Sequence, residues 1–413
     1  MISSPLSDIK VLDFTHAAAG PFASMFLADL GADVVKVERP PYGDGARSMG
    51  APLEGFSRND SDYYLSLNRN KKGIVLDLTN SAARDVALRL AERCDVVIQN
   101  FRPGVMERLG LDFENLRRRR PSLVYCSISA FGGNGPWSHR PANDIIMQSV
   151  SGLMAVTGEV GGGPVRIGAP VADFGTGLFA LSAILAALHA RADHPEGQHV
   201  TVSMLEASLN LMCNYIPSVA GAGVRIPRVG RAHAQIVPYQ AFACSDGEYV
   251  MVGAFNRTFW QNLCRALGKP GWLADEQYST NAARLRNRDE LIAELEAIFA
   301  EHDRAYWLRL LEEADIPNSP VFELDEAVRS EQAEFDHSIY EVREGDSAVS
   351  LVRSPMRSEQ WVGGADAMAP SLGRDTREVL IEMLGMTPAE VDDLLSRFDD
   401  TAAATTTARA TTS

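Results

Sequence analysis

The stretch that decides the fold is Ile9–Arg39, "IKVLDFTHAAAGPFASMFLADLGADVVKVER", near the start of the 413-residue chain. Ile9–Thr15 has the apolar, β-branched composition of a buried strand, and "FASMFLADLG" has that of a helix. Pro21 suits the first turn of this helix, where the missing N–H of proline costs nothing. "ADVVKVER" then returns to strand composition. The stretch therefore predicts a strand, a helix and a second strand.

The same alternation continues through the first two hundred residues. Gly73–Leu78 ("GIVLDL"), "CDVVIQNF" and "SLVYCSISAF" are further short apolar strands, and Asn80 can cap a helix with apolar residues at helical spacing. Strands that are apolar along their whole length are covered on both faces, as in a parallel sheet between helices. The first half of the chain is therefore predicted to be an α/β domain.

The pattern changes after about Gly221. "YQAFACSDGEYVMVGAF" predicts a hairpin around Asp246 and Gly247, and amphipathic helices follow at Asp289–Ala300 and near Ala305–Glu313. The predicted divisions are a large α/β domain over 1–215, a small α+β domain over 225–325, a linker with C-terminal helices over 326–400, and a disordered Thr- and Ala-rich tail over 401–413.

Composition excludes several classes of protein. The net charge of −15 argues against a nucleic-acid or anionic-membrane binder, whose surface would be basic. The N-terminus lacks the pattern of a secretory signal, and the apolar runs are shorter than the ~20 residues of a membrane span. The five cysteines are scattered without metal or redox spacing. We therefore expect a cytoplasmic protein with reduced cysteines and no metal.

Common catalytic motifs are missing. The first strand is followed by "HAAAGPF" rather than by GxGxxG or a GxxxxGK[ST] phosphate loop, which weakens a nicotinamide dehydrogenase as the interpretation. The sequence also has no HExxH and no G-x-S-x-G elbow. His16 and His233 are possible site residues, although each on its own is better explained as a structural histidine.

Basic residues follow or precede several predicted strands. Ligands of open α/β sheets bind outside the carboxyl ends of the strands, where Arg39, Asn100, Phe101 and Arg102 are expected. Cations there suit an anionic phosphate ligand. Solvated surface charges explain the same residues about equally well.

Asp173 lies within Gly168–Ala190, "GAPVADFGTGLFALSAILAALHA", at the start of a helix predicted to be buried. Helix-capping rules alone favour an N-cap, which stabilises by roughly 1 kcal/mol. The flanking Gly175 and Gly177 favour a second role, because they would let a ligand approach the backbone. The helix N-terminus would also keep the carboxylate ionised for nucleophilic catalysis at an acyl centre. The two roles are compatible, but capping rules alone cannot confirm the second.

Several long motifs in order resemble the family III CoA-transferases, the group that includes formyl-CoA transferase and carnitine CoA-transferase. They include "VLDFTHAAAGPFASMFLADLGADVVKVERP", "NRNKKGIVLDL", "NFRPGVMERLGLDFENL", "ISAFGGNGP", "DFGTGLFALSAILAALHAR" and "APSLGRDTREVLIEMLG". The resemblance implies a doubly wound, Rossmann-like large domain and a smaller domain. It also implies a C-terminus that returns to the large domain, and a homodimer of interlocked chains.

The resemblance also implies a mechanism. Asp173 stands at the position of the family's nucleophile, which forms an aspartyl anhydride and then an aspartyl-CoA thioester. Coenzyme A and acyl-CoA are then substrates, with no permanently bound cofactor. The residues expected to contact CoA are Ala17, Ala18, Arg39, Lys72, Asn100, Phe101, Arg108 and Asn143.

Two alternatives remain at this point. The 2-methylacyl-CoA racemases of the same superfamily resemble the chain at "DFG" but have a catalytic histidine where this chain has Asn143, which has no basic nitrogen. A non-catalytic acyl-CoA-binding protein would have the strand-end cations without a use for Asp173. The preferred interpretation is transfer of CoA from a short acyl-CoA to a small carboxylic acid. Succinyl-CoA and a dicarboxylate are plausible because such family members are abundant.

Overall fold

The structure is a computed structural model that describes residues 4–51, 53, 60–361 and 367–396. The chain divides into two compact units, each with a hydrophobic core. Of the described residues, the first unit contains those up to Gly152, Ile167–Ile216 and those from His337 onward. The second contains Leu153–Arg166 and Pro217–Asp336.

The strands are β1 (Lys10–Asp13), β2 (Asp33–Glu38), β3 (Lys72–Val75), β4 (Val96–Gln99), β5 (Val124–Ser129), β6 (Gln198–Ser203), β7 (Tyr239–Ala243), β8 (Tyr249–Gly253), β9 (Asn318–Pro320), β10 (Ile339–Glu344) and β11 (Ser347–Val352). The helices are α1 (Ala19–Asp29), α2 (Asp62–Leu67), α3 (Ser81–Ala91), α4 (Val105–Leu109), α5 (Phe113–Arg119), α6 (Asp144–Ser151), α7 (Leu153–Val156), α8 (Val171–Ala190), α9 (Met204–Asn210), α10 (Arg257–Ala266), α11 (Asn281–Arg286), α12 (Arg288–Phe299), α13 (Arg304–Glu313), α14 (Leu324–Val328), α15 (Glu331–Phe335) and α16 (Thr376–Leu384).

A six-stranded parallel sheet forms the centre of the first unit, in the order β3-β2-β1-β4-β5-β6. This is the strand order of doubly wound dinucleotide-binding folds. Neighbouring residues of β1 enter different cores, because side chains alternate between the faces of a strand. Val11 belongs to a core with α1 and α8, and Leu12 to a core with α3 and α16. The predicted α/β class is confirmed.

Helix α3 begins where the sequence predicts it. The side chain of Asn80 accepts a hydrogen bond from the amide of Ala82 at 2.8 Å. The predicted apolar face is buried and packs on the sheet; its residues are Ala83, Val86, Ala87 and Leu90. Local capping and periodicity are therefore sufficient to place this helix.

Helix α8 differs from its prediction in two ways. Among the described helices it alone has the length and apolarity to cross a membrane, with 20 residues and a mean hydropathy of 1.8, so the expectation that no segment reaches that length is wrong. Core helices of soluble proteins have the same properties, and Ala180 and Ile184 are fully buried against the sheet. The prediction of uniform burial is also wrong, because Leu178 is 48% and Phe179 41% exposed.

The second unit contains the predicted hairpin. Strands β7 and β8 pair antiparallel, and the turn between them contains Gly247 with a φ of +84°. Strand β9 extends the sheet, and helices α10, α12 and α13 contribute the aromatic core. Trp260 stacks parallel to Trp272 there, with ring centroids 5.9 Å apart.

The unit boundaries differ from the predicted divisions at two places. Residues 153–166, predicted within the large domain, belong to the second unit, where Arg228 donates to the carbonyl of Ala155. Residues 326–336, predicted as linker, belong there too, because Arg304 pairs with Glu326 at 3.1 Å. These contacts join residues far apart in the chain and leave no local signal.

The C-terminal segment packs in the first unit. Helix α16 contacts β3 and α3, and the Asp375 carboxylate accepts a hydrogen bond from the amide of Gly73 at 2.7 Å. Residues 388–396 are helical, as predicted from Thr387 and the following proline. The predicted tail over 401–413 lies outside the described residues.

Candidate active site

The loop between β1 and α1 is anchored by the buried carboxylate of Asp13. This carboxylate accepts hydrogen bonds from the amide and hydroxyl of Thr15 at 2.8 and 2.5 Å and from Ser24 at 2.6 Å. The Lys71 ammonium lies 3.2 Å away. Burial alone would raise the pKa of Asp13, but Lys71, Lys36 and the hydroxyl donors together lower this pKa to about 2. The anchor is therefore charged at every physiological pH.

The next part of the loop holds Ala17 in a left-handed conformation, with a φ of +63°. Such a conformation is costly for a residue with a side chain. The amide of Ala17 donates to Asp44 at 3.0 Å, and the buried Lys36 ammonium binds both Asp44 at 2.9 Å and the carbonyl of Thr15 at 2.7 Å. A buried ion pair thus fixes the shape of this loop.

Asn100 fixes the neighbouring residue of the loop. It accepts from the amide of His16 at 3.0 Å and donates to the carbonyl of His16 at 2.8 Å. The His16 ring meets Phe101 edge to face, with centroids 4.5 Å apart. Burial, followed by the charge of Lys36, lowers the pKa of His16, which therefore presents a neutral imidazole at pH 7.

A cavity of about 610 Å³ lies beyond the carboxyl ends of β1 to β4. Its lining is largely apolar and includes Phe14, Val37, Leu76, Phe101, Val105 and Leu109. Arg39, predicted as a phosphate-binding residue, lines this cavity together with Ala17. An apolar chamber with a cation suits a nucleotide that has a flat base and anionic phosphates.

A second cavity, of about 380 Å³, contains the side chain of Asp173. It shares His16, Ala17 and Phe101 with the first cavity, so the two adjoin at the β1–α1 loop. Five of the predicted CoA-binding residues line it: Ala17, Ala18, Asn100, Phe101 and Asn143. Together with Arg39 in the first cavity, they form one continuous candidate site.

Asp173 does not cap helix α8. The helix begins at Val171, so that Asp173 is the third residue of its first turn. The free amides of Ala172 and Asp173 donate instead to the carboxylate of Asp144, at 2.9 and 3.3 Å. Because Asp144 satisfies these amides, the Asp173 carboxylate is left to face the cavity.

The same arrangement corrects the expectation that Asp173 would be kept ionised by the helix N-terminus. Burial, and then the negative charge of Asp144, raise its pKa to about 7. Gln148 donates to Asp144 at 2.6 Å, and its side-chain oxygen accepts from the amide of Ile167 at 2.8 Å, which orients Asp144 in turn. At neutral pH the unliganded protein therefore holds the Asp173 proton far more strongly than an exposed aspartate would.

Gly175 and Gly177 do not open the backbone to a ligand, as the sequence suggested. A Cβ on Gly175 would lie 2.9 Å from Leu211, and one on Gly177 would lie 2.7 Å from the carbonyl oxygen of Ala19. Both glycines therefore allow α8 to pack closely on its neighbours. They act on helix packing and not on ligand access.

Three predicted or possible site residues lie elsewhere. Lys72 starts β3 at the amino edge of the sheet, opposite the cavities, and pairs with Asp33 at 3.2 Å. Arg108 is exposed on α4, whose Val105 lines the first cavity. His233 accepts a hydrogen bond from the amide of Gln235 and has a structural role in the second unit. Among the described residues, no cluster of His, Cys, Asp and Glu could hold a metal ion.

Several residues that support the site were not predicted from the sequence. Lys36 and Asp44 hold the β1–α1 loop, and Asp144 holds the first turn of α8. Arg140 lines the cavity that contains Asp173. A lysine in the middle of the apolar strand "ADVVKVER" is the local signal that indicates a buried acid nearby.

Comparisons with known proteins place the chain in a family. The model of a family described as CoA-transferase family III matches residues 6–376. Succinyl-CoA:glutarate CoA-transferase of Mus musculus is 37% identical over 392 residues, covering 95% of this chain and 89% of that protein. The human protein of the same name is 35% identical with the same coverage. A crystal structure of a CAIB/BAIF family protein from Brucella suis superposes with a TM-score of 0.82 and 32% identity, covering 92% of this chain and 99% of that one.

Proposed function

The chain belongs to CoA-transferase family III and is a CoA-transferase, and from this premise we propose that Asp173 is its nucleophile. The observation that carries the proposal is the position of the Asp173 carboxylate. It faces a cavity that adjoins a larger chamber at the carboxyl ends of the sheet strands. Among the described residues, every other carboxylate that lines either chamber has a hydrogen-bond or ion-pair partner. The substrate CoA would extend from one chamber into the other.

The nucleotide end of CoA fits the larger cavity. The apolar walls there suit the adenine ring, and Arg39 suits a phosphate. The pantetheine arm would pass His16, Ala17 and Phe101, which line both chambers, and so bring the thioester to Asp173. Coenzyme A is in this proposal a substrate and not a resident cofactor.

The first half of the reaction releases the donor acid. The ionised carboxylate of Asp173 attacks the thioester carbonyl carbon, and the C–S bond breaks. CoA thiolate departs, and a mixed anhydride forms between Asp173 and the donor acyl group. The thiolate then attacks the aspartyl carbonyl carbon and breaks the anhydride bond. The donor leaves as a carboxylate, and Asp173 remains as a CoA thioester.

The second half repeats these steps in reverse order. The acceptor carboxylate attacks the aspartyl thioester, expels CoA thiolate and forms a new anhydride. The thiolate attacks the acyl carbon of the acceptor, which restores the Asp173 carboxylate and releases the new acyl-CoA. No proton is gained or lost over the cycle, so the site needs no histidine base.

We propose succinyl-CoA as the donor and a dicarboxylic acid as the acceptor. The support is the similarity over 95% of the chain to relatives named for succinyl-CoA and glutarate. Racemisation has no such support, because Asn143 stands where that chemistry needs a base. Its amide oxygen accepts from the amide of Ile146 at 3.1 Å, as a helix cap.

Trapping the intermediate tests the nucleophile. We expect incubation with succinyl-CoA followed by hydroxylamine to give a hydroxamate on the peptide containing Asp173, detected by mass spectrometry. Asp173→Asn should give no adduct, whereas Asp193→Asn, at an exposed acid after α8, should react like the wild type. Transfer activity with the adduct on another residue would overturn the assignment.

We also propose that the protein is the interlocked homodimer implied by the resemblance. The support is a set of large apolar side chains exposed in the first unit: Ile145, Ile146, Leu178, Phe179 and Leu211, each more than 40% exposed. Monomers rarely leave several such side chains in water. Light scattering should give twice the chain mass of 44.9 kDa, unchanged on dilution. A mass of one chain would contradict the dimer.

A further inference from the structure

Arg140 lines the cavity that contains Asp173 and stacks on Trp137. The Arg140 guanidinium lies over the Trp137 ring, 4.7 Å from its centroid. Trp137 in turn meets Phe131 edge to face at 5.5 Å. Stacking on an aromatic face restrains a planar guanidinium and leaves its N–H groups free to bind in the ring plane.

The charge of Arg140 has no acidic partner within 4.0 Å in the described part of the chain. The same holds for Arg102, and both residues line the cavity that contains Asp173. Both side chains are exposed to solvent. They place two cations without a described acidic partner in one cavity of a chain whose net charge is −15, which favours an anionic ligand there.

The two arginines differ in position. Arg102 follows Phe101, which lines both cavities and so lies on the proposed path of CoA. Arg140 precedes α6, whose Asp144 binds the first amides of the helix that carries Asp173. Arg140 is therefore close in the chain to the residue that holds the helix of Asp173, which favours Arg140 over Arg102 for the acyl end of the site.

We propose that Arg140 binds the distal carboxylate of the dicarboxylic substrate while the reacting carboxyl group meets Asp173; this inference rests on the proposed function. A guanidinium binds a carboxylate through two parallel hydrogen bonds. A monocarboxylate of equal length would place a methyl group there and leave the cation without a partner. Sites built around a polar group of the substrate discriminate strongly against analogues that lack it.

The test compares acceptors that differ only at the distal end. With saturating succinyl-CoA, the pairs are glutarate with valerate and adipate with hexanoate, because succinate as acceptor would only regenerate the reactants. In Arg140→Gln we expect the KM for each dicarboxylate to rise about 10- to 100-fold, with kcat within a few-fold. The KM for the monocarboxylates should stay within about twofold. Arg140→Lys, which keeps the charge but not the planar fork, should recover part of the loss.

Two further arginine variants serve as controls. Arg102 lines the same cavity, and Arg102→Gln should raise the KM for dicarboxylates and monocarboxylates alike. Arg118→Gln, exposed on α5, should change neither. The assignment is overturned if Arg140→Gln raises both KM values equally or leaves both unchanged, or if Arg102→Gln shows the selective loss instead.

A binding measurement separates this inference from the proposed function. Calorimetric titration of succinate and butyrate into Asp173→Asn with CoA present needs no turnover. Loss of succinate binding on adding Arg140→Gln supports the role of Arg140 in binding the distal carboxylate. This holds even if the wild type transfers CoA between no tested pair, a result that would overturn only the proposed function. If the wild type transfers CoA but succinate binding does not depend on Arg140, only the role of Arg140 is overturned.

Discussion

Asp173→Asn is expected to lower CoA transfer by about four orders of magnitude or more and, at the same time, to stabilise the protein at pH 8. The loss of activity follows from the loss of the proposed nucleophile. The gain in stability follows from the burial of a carboxylate next to the charge of Asp144. Active-site groups commonly reduce stability in this way.

The direction of the stability change follows from the pKa of Asp173 in the folded and in the unfolded protein. Folding raises the pKa of Asp173 from 3.8 to about 7. Between these values the folded protein binds a proton that the unfolded chain has released, so this group makes the free energy of unfolding fall as the pH rises. About 3 pKa units at about 1.4 kcal/mol each give about 4 kcal/mol as an upper value. Asparagine carries no charge and escapes this penalty.

Urea denaturation at several pH values measures the effect. The Asp173→Asn variant should exceed the wild type in unfolding free energy by up to about 4 kcal/mol at pH 8, and the difference should vanish toward pH 4. Asp193→Asn, at an exposed acid, should show no such dependence. A gain of equal size at pH 5 and pH 8 would show that ionisation of Asp173 is not its cause.

Asp144→Asn provides an independent check on the pKa of Asp173. Asparagine can still accept from the amides of Ala172 and Asp173 through its oxygen, but the negative charge is lost. The pKa governing the rate of Asp173 acylation should therefore fall below about 7 while remaining above its ordinary value, because burial is the larger cause. The pH profile of single-turnover acylation measures this shift.

Asp13→Ala is the second change with a large expected effect, a loss of about 3–5 kcal/mol in the free energy of unfolding. The substitution removes a buried carboxylate with three hydroxyl and amide donors and leaves the fully buried Lys71 without its counter-charge. Burial already lowers the pKa of Lys71 to about 8 despite Asp13. Thermal and urea unfolding at pH 7 measure the loss.

A double variant identifies the cause. Adding Lys71→Met to Asp13→Ala removes the stranded charge, so the pair should recover part of the lost stability. Without the anchor of Thr15, transfer activity should remain low in the refolded double variant, because the β1–α1 loop lines both cavities. Suppose instead that Lys71→Met destabilises the Asp13→Ala variant as much as it destabilises the wild type. The unpaired charge of Lys71 would then be excluded as the cause of the stability lost in Asp13→Ala.

The alternation of strands and helices, the start of α3 at Asn80 and the hairpin around Gly247 could all be predicted from the sequence. These features depend on residues that are neighbours in the chain, and composition, spacing and turn chemistry register them directly. The position of Asp173 at the start of an apolar helix was also readable. Its chemical role required the motifs of the whole chain.

Only the tertiary structure decided how that aspartate is presented. Asp144 rather than Asp173 satisfies the amides of α8, and the charge of Asp144 helps to raise the pKa of Asp173. In the same way, Asp44 shapes the loop at Ala17, and the register of β3 puts Lys72 at the far edge of the sheet. Hydrogen bonding and charge act through space over a few ångströms, whereas sequence patterns report only on residues close together in the chain.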